Sequence, residues 1–217
     1  MFFAIEIPSL RRFAGSALSA MAVMGGAAQA STLRVSVTDV EGKPLSQAVV
    51  MLHPKSGKVQ VQPMAPVEVS QKDRRFRPQV TLITVGTPVV FSNFDTVKHH
   101  VYSFSRAKTF ELKLYSGVPE EGVEFDKPGV AIVGCNIHDA MASWIVVADT
   151  PMHAQTGNAG VARIDGVDPG DYRMWVWHPG LPALTDGLSS LISVGTSDLG
   201  QAVQLTLQRN PVISAAP

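Results

Sequence analysis

The spacing of apolar residues constrains this chain more than any other feature. Short apolar runs recur along the sequence, and clusters of Gly, Pro, Asn and Asp separate them. Leu33, Val35 and Val37 alternate with Arg34, Ser36 and Thr38, the pattern of a half-buried strand. Phe110, Leu112 and Leu114 alternate with Thr109, Glu111 and Lys113, which predicts the first three inward and the others outward. Trp144-Ile145-Val146-Val147 is apolar without a break, as in a strand buried on both faces. Asp39 to Pro44, Gly86-Thr87-Pro88, Asp126 to Gly129 and Val167 to Asp171 read as turns. No long stretch has the period of an amphipathic helix. Many short strands with regular turn signals predict an all-β protein, a sandwich or a barrel.

The first thirty residues follow a different logic. Arg11 and Arg12 form a basic start, Phe13 to Gly26 is apolar and rich in small residues, and Ala28-Gln29-Ala30 is a cleavage pattern. Residues 1–30 therefore read as a signal peptide, with the mature chain starting at Ser31 in an oxidising compartment such as the periplasm. No later segment is long and apolar enough to suggest a membrane span in the mature chain. Eighteen basic and eighteen acidic residues balance, so no field favours nucleic acid as a partner. A lone cysteine, Cys135, cannot pair within the chain, and in that compartment it needs protection by burial or by a metal.

Cys135 lies in Gly134-Cys135-Asn136-Ile137-His138-Asp139-Ala140-Met141, a C-x2-H-x2-M pattern. Thiolate and thioether are soft ligands, and imidazole suits copper. A fourth donor is available upstream in Lys98-His99-His100-Val101. Two His and a Cys in a trigonal set, with a weak axial Met, form the signature of a blue-copper electron-transfer centre holding one ion. Each imidazole then needs its other ring nitrogen fixed. Asn93, near the start of the His strand, is expected to tie the two ligand loops together, or else to make a strand-end hydrogen bond. Lys72 to Arg77 is a basic cluster, read as a solvated loop with docking to an acidic partner as the second reading. His53, His153 and His178 stand outside the motif, and His178 is expected to be a packed surface residue.

The segment from Gly86 to Met141 resembles the cupredoxins of the amicyanin and plastocyanin type. It has V-x-F-x-N, then Asp95 and Val97 before His99, then the C-x2-H-x2-M loop running into a Val-rich strand. The run His99 to Ser105, with Gly134 to Asp139 and Asp149-Thr150-Pro151, resembles proteins labelled methylamine utilisation. The resemblance implies a Greek-key β-sandwich and the ligands His99, Cys135, His138 and Met141. It favours His99 over His100, because the ligand is followed by one residue and then Val. His100 shares a face with Tyr102 and Phe104, which points to a structural role behind the ligands.

The flanks resemble a different module. Val37-Thr38-Asp39 with Gly42 to Leu45, and Gly160 to Ile164 with Pro169 to Tyr172, are similar to carboxypeptidase-regulatory-like domains. The expected organisation is a discontinuous β-sandwich from residues 31–58 and 150–209, a copper domain inserted at 59–149, and a tail at 210–217. The function this implies is single-electron transfer between periplasmic redox proteins, with a cytochrome or a dehydrogenase as a transient partner. No enzyme activity is expected, since four protein donors leave no open position for substrate. The competing readings are a copper carrier, or a structural or binding β-protein with a vestigial site.

Overall fold

The computed structural model describes residues 30–57, 59–182 and 185–208. The signal-peptide segment and the tail beyond 208 therefore lie outside the described residues. The chain opens with β1 (Ser31–Asp39) and β2 (Val49–Pro54). The middle holds β3 (Val67–Lys72), β4 (Arg75–Arg77), β5 (Val80–Thr84), β6 (Thr87–Asn93), β7 (His99–Phe104), β8 (Thr109–Tyr115), β9 (Val123–Phe125), β10 (Gly129–Cys135) and β11 (Ala142–Ala148). The end holds β12 (His153–Gln155), β13 (Val161–Val167), β14 (Gly170–Trp177), β15 (Leu188–Val194) and β16 (Leu199–Leu205). The protein is all-β, as the alternation predicts, and among the described residues no helix is long and apolar enough to cross a membrane.

Four sheets result. Two use only strands from the start and end of the chain, in the orders β13-β1-β16 and β12-β2-β14-β15. Two use only the middle, in the orders β5-β11-β10-β7-β8 and β4-β3-β6-β9. β1 runs parallel to β16, from Leu33 opposite Leu199 to Asp39 opposite Leu205, and antiparallel to β13. β2 pairs antiparallel with both β12 and β14.

Each pair of sheets encloses its own apolar core, and β11 belongs to both. Trp144, Val146 and Ala148 join the core built by Leu33, Val35, Val50, Leu52, Met174 and Val176. The alternate residues Ile145 and Val147 join the core of Val69, Phe91, Val101, Phe125 and Val133. This two-sided burial is why residues 144–147 are apolar without a break. The crossing from the middle of the chain to its end is stitched to β2. Thr150 Oγ1 donates to the Leu52 carbonyl at 2.7 Å, the Leu52 N–H donates to the Met152 carbonyl at 2.9 Å, and His53 Nε2 donates to Asp149 at 2.7 Å.

One inward assignment is overturned. Leu114 is 56% exposed, and Tyr115 takes the inward place instead. Between the pairs Val101–Leu112 and His99–Tyr115, β8 spends three residues where β7 spends two. That bulge reverses which side chains face the core. The basic cluster is a hairpin rather than a loop: β3 and β4 pair Lys72 with Arg75, Gln71 with Phe76 and Ser70 with Arg77.

Candidate metal centre

Cys135 is the last residue of β10 and is buried. His99 is the first residue of β7 and is fully buried. His138 lies in the turn that follows Cys135 and is half-buried. The turn closes on itself: the Met141 N–H donates to the His138 carbonyl at 2.9 Å, and the Cys135 N–H donates to the Met141 carbonyl at 3.3 Å. These two bonds fold His138 back over the thiol.

The result is a compact trio. Cys135 Sγ is 3.7 Å from His99 Nδ1 and 3.9 Å from His138 Nδ1. The three donor atoms lie within 4.8 Å of one another, and the two rings meet edge to face at 5.0 Å. Nitrogen and sulfur donors bond zinc at about 2.0–2.3 Å, so two donors sharing such an ion stand roughly 3.5 Å apart. The trio is therefore spaced as ligands to one ion are spaced. A thiolate with two imidazoles, shielded from water, is a donor set that suits copper.

His99 is held from behind. Its Nε2 donates to Asp95 Oδ2 at 2.8 Å, which leaves Nδ1 with its lone pair toward Cys135. Asp95 also accepts the N–H groups of Asp73 at 2.7 Å and Arg74 at 3.0 Å. Burial raises the Asp95 carboxyl, but the bond from His99 and the two amides outweigh it and hold it below the usual carboxylate range. Asn93 fixes the approach to His99: its Nδ2 donates to the carbonyls of Val97 and Tyr115, both at 2.9 Å, and its Oδ1 accepts the Asp95 N–H. These bonds join the His99 approach to β8 rather than to the cysteine loop. Tyr115, opposite His99 on β8, donates to the Phe91 carbonyl and accepts from Gln71. Burial pushes its phenol up to about 12, against the Gln71 hydrogen bond.

The other candidates fall elsewhere. Met141 is buried in the same core as Cys135, Val101 and Val133. His100 points to the other face of β7, where Nε2 donates to Glu111 at 2.9 Å and the ring lies 5.7 Å from Tyr102. His178 is buried rather than at the surface: Nε2 donates to the Ser46 carbonyl, and Nδ1 accepts the Gly180 N–H at 2.9 Å. The sequence places Asp95 in the run before His99 but gives it no role. Its signal is a carboxylate four positions before His99, read with the need of every ligating imidazole for an anchored second nitrogen.

No protein-family model matches the chain, and no curated protein matches it. Similar solved structures cover under half of it. A Cu-containing nitrite reductase from Thermus scotoductus is 26% identical over 44% of this chain, with a TM-score of 0.36. The match takes in 25% of the reductase, so the chain spans a quarter of that protein. A purple cupredoxin from Nitrosopumilus maritimus is 20% identical over 38% of this chain and 99% of its own, with a TM-score of 0.34. Amicyanin from Paracoccus versutus is 16% identical over 45% and 97%, with a TM-score of 0.33. Among the described residues the middle strands form two sheets that carry the His99-Cys135-His138 group, and the chain's two ends form two further sheets.

Proposed function

We propose that this chain is an exported type 1 (blue) copper protein that carries single electrons between periplasmic redox partners. The observation that carries the reading is the convergence of Cys135 Sγ with Nδ1 of His99 and of His138. In this reading Met141 would hold the ion as a fourth donor, through its thioether sulfur. We read the segment 59–149 as a copper domain inserted in a carboxypeptidase-regulatory-like sandwich, 31–58 with 150–209.

Copper held by these residues would supply one-electron chemistry. The chain's own part is to keep the donors still. Cys135 is fixed by the antiparallel pairing of β10 with β7, which sets Gly134 opposite Tyr102 and Cys135 opposite Val101. His99 is fixed by Asp95, and His138 by the two backbone bonds of the turn. Apolar packing from Val101, Val133 and Met141 keeps water from the thiol. Half-buried His138 is the donor nearest solvent, so it is the natural point of contact for a cytochrome or dehydrogenase. Four protein donors leave no position for a substrate, and the reading is a carrier of electrons rather than an enzyme.

Titrating the metal-free protein with copper tests this. One equivalent per chain should produce an intense visible band, and Cys135→Ser should abolish that band. A copper carrier without redox function would bind the metal yet exchange it readily and transfer electrons slowly. A vestigial site would bind none.

A further inference from the structure

We propose that the β3–β4 hairpin is the docking surface for an acidic redox protein, a proposal that rests on the electron-carrier reading above. Lys72 and Arg75 are directly paired across the ladder, and Arg77 lies two residues beyond Arg75, so these three exposed cations share one face. Arg74 stands in the turn, and exposed Lys98 precedes His99 on the neighbouring loop. Among the described residues, none of the five has a carboxylate within ion-pair reach. The chain as a whole is neutral, so the surplus is local. The acids on this face of the sheet are Glu68, which accepts from Ser92 Oγ, and Glu124 on the far strand β9; near the turn stand Asp95, which serves His99, and Asp73 at its tip.

Charges on an edge strand also serve to block edge-to-edge association. That role needs cations but no fixed geometry, and this hairpin is fixed. Asp73 and Arg74 both adopt left-handed backbone, with φ of 55° and 56°. Side chains other than Gly, Asn and Asp rarely take that conformation, so Arg74 is strained there. The carboxylate that compensates, accepting both N–H groups, is the one that orients His99. An open cleft of about 310 Å³, lined by Asp73, Arg74, Asp95, Thr96 and Val97, lies beside this junction. One carboxylate thus locks a cationic hairpin to a buried donor of the metal centre. A negatively charged partner steered onto Lys72, Arg75 and Arg77 sits on the hairpin whose turn shares one carboxylate, Asp95, with His99.

The test has two arms. In the first, the metal-free protein is titrated with poly-L-glutamate and followed by backbone amide NMR. Shifts confined to residues 72–77 and 95–99, lost in the R75E/R77E variant and in high salt, support the surface; shifts elsewhere, or unchanged in the variant, overturn it. In the second, the reduced, copper-loaded protein gives one electron to hexacyanoferrate(III), which becomes hexacyanoferrate(II). R75E/R77E should slow this about tenfold at low ionic strength, within the range of electrostatic steering. Arg173→Glu, an exposed cation on β14, should leave it unchanged. Equal rates for wild type and R75E/R77E overturn the proposal. Lys72→Glu repeats both arms should the double variant fail to fold. A chain that takes up no copper refutes the electron-carrier reading, yet the first arm still decides whether the hairpin binds acidic chains. A chain that transfers electrons at a rate indifferent to these cations refutes the docking surface alone.

Discussion

Asp95 carries two duties with one carboxylate. Beside an open cleft, it fixes the tautomer of His99 and caps the Asp73–Arg74 turn. Loss of an outer partner of a ligating histidine typically weakens metal affinity about 10–100-fold. Asp95→Ala should therefore lower copper affinity by about that factor, measured by competition with a chelator. Asp95→Asn, whose carbonyl oxygen can still accept the His99 proton, should recover part of it. Unchanged affinity in the alanine variant would show that His99 is held by packing alone. Three of the four proposed ligands are legible as a local soft-donor motif, since Cys135, His138 and Met141 sit in one turn, and the family pattern adds His99. Asp95 is not legible in this way, because a single acidic residue before a histidine means nothing until the chain folds that carboxylate behind the ring. His178 was misjudged for a similar reason. Nothing in Trp177-His178-Pro179-Gly180 announces that the Ser46 carbonyl, far away in sequence, will cover the ring.

At the scale of elements, alternation located the strands well, and failed where a ladder is irregular. The β8 bulge turned Leu114 out and Tyr115 in, since one extra residue reverses every later side chain. The β3–β4 hairpin reads as a loop in the sequence because a run of charges is most often a solvated loop, and its Asp73-Arg74 turn lacks the glycine that would have marked a hairpin. The connection after β14 makes a stability prediction. Burial holds the His178 imidazole below its ordinary range, against the hydrogen bond to Ser46. The unfolded chain therefore takes up this proton first as the pH falls, and stability drops as pH passes downward through about 6.5. Urea midpoints should fall between pH 7.5 and 5.5. His178→Gln, which can keep a donor toward Ser46 and an acceptor for Gly180, should flatten that dependence. An equally steep dependence in the variant would assign the effect to another group.

Across the whole molecule, the two ends of the chain and its middle meet in β11. Trp144, Val146 and Ala148 face one core while Ile145 and Val147 face the other, so neither core is complete without this strand. The unbroken apolar run at 144–147 carried that information in the sequence, although which cores it joined depended on long-range pairing such as β1 with β16. Burying a tryptophan there couples the two halves. Trp144→Ala should cost about 3–5 kcal/mol. The loss should lower one common unfolding transition, seen alike by fluorescence and by a probe in the copper-site half. Two separate transitions, with only one displaced, would show that the halves unfold independently.

One thiolate and two imidazoles are aimed at a single ion. Copper titration of the metal-free wild type and of Cys135→Ser, followed in the visible range, decides this. The wild type should show an intense band that saturates at one copper per chain, and the variant should lack it. A wild type that takes up no copper, or a variant that keeps the same band, would contradict it.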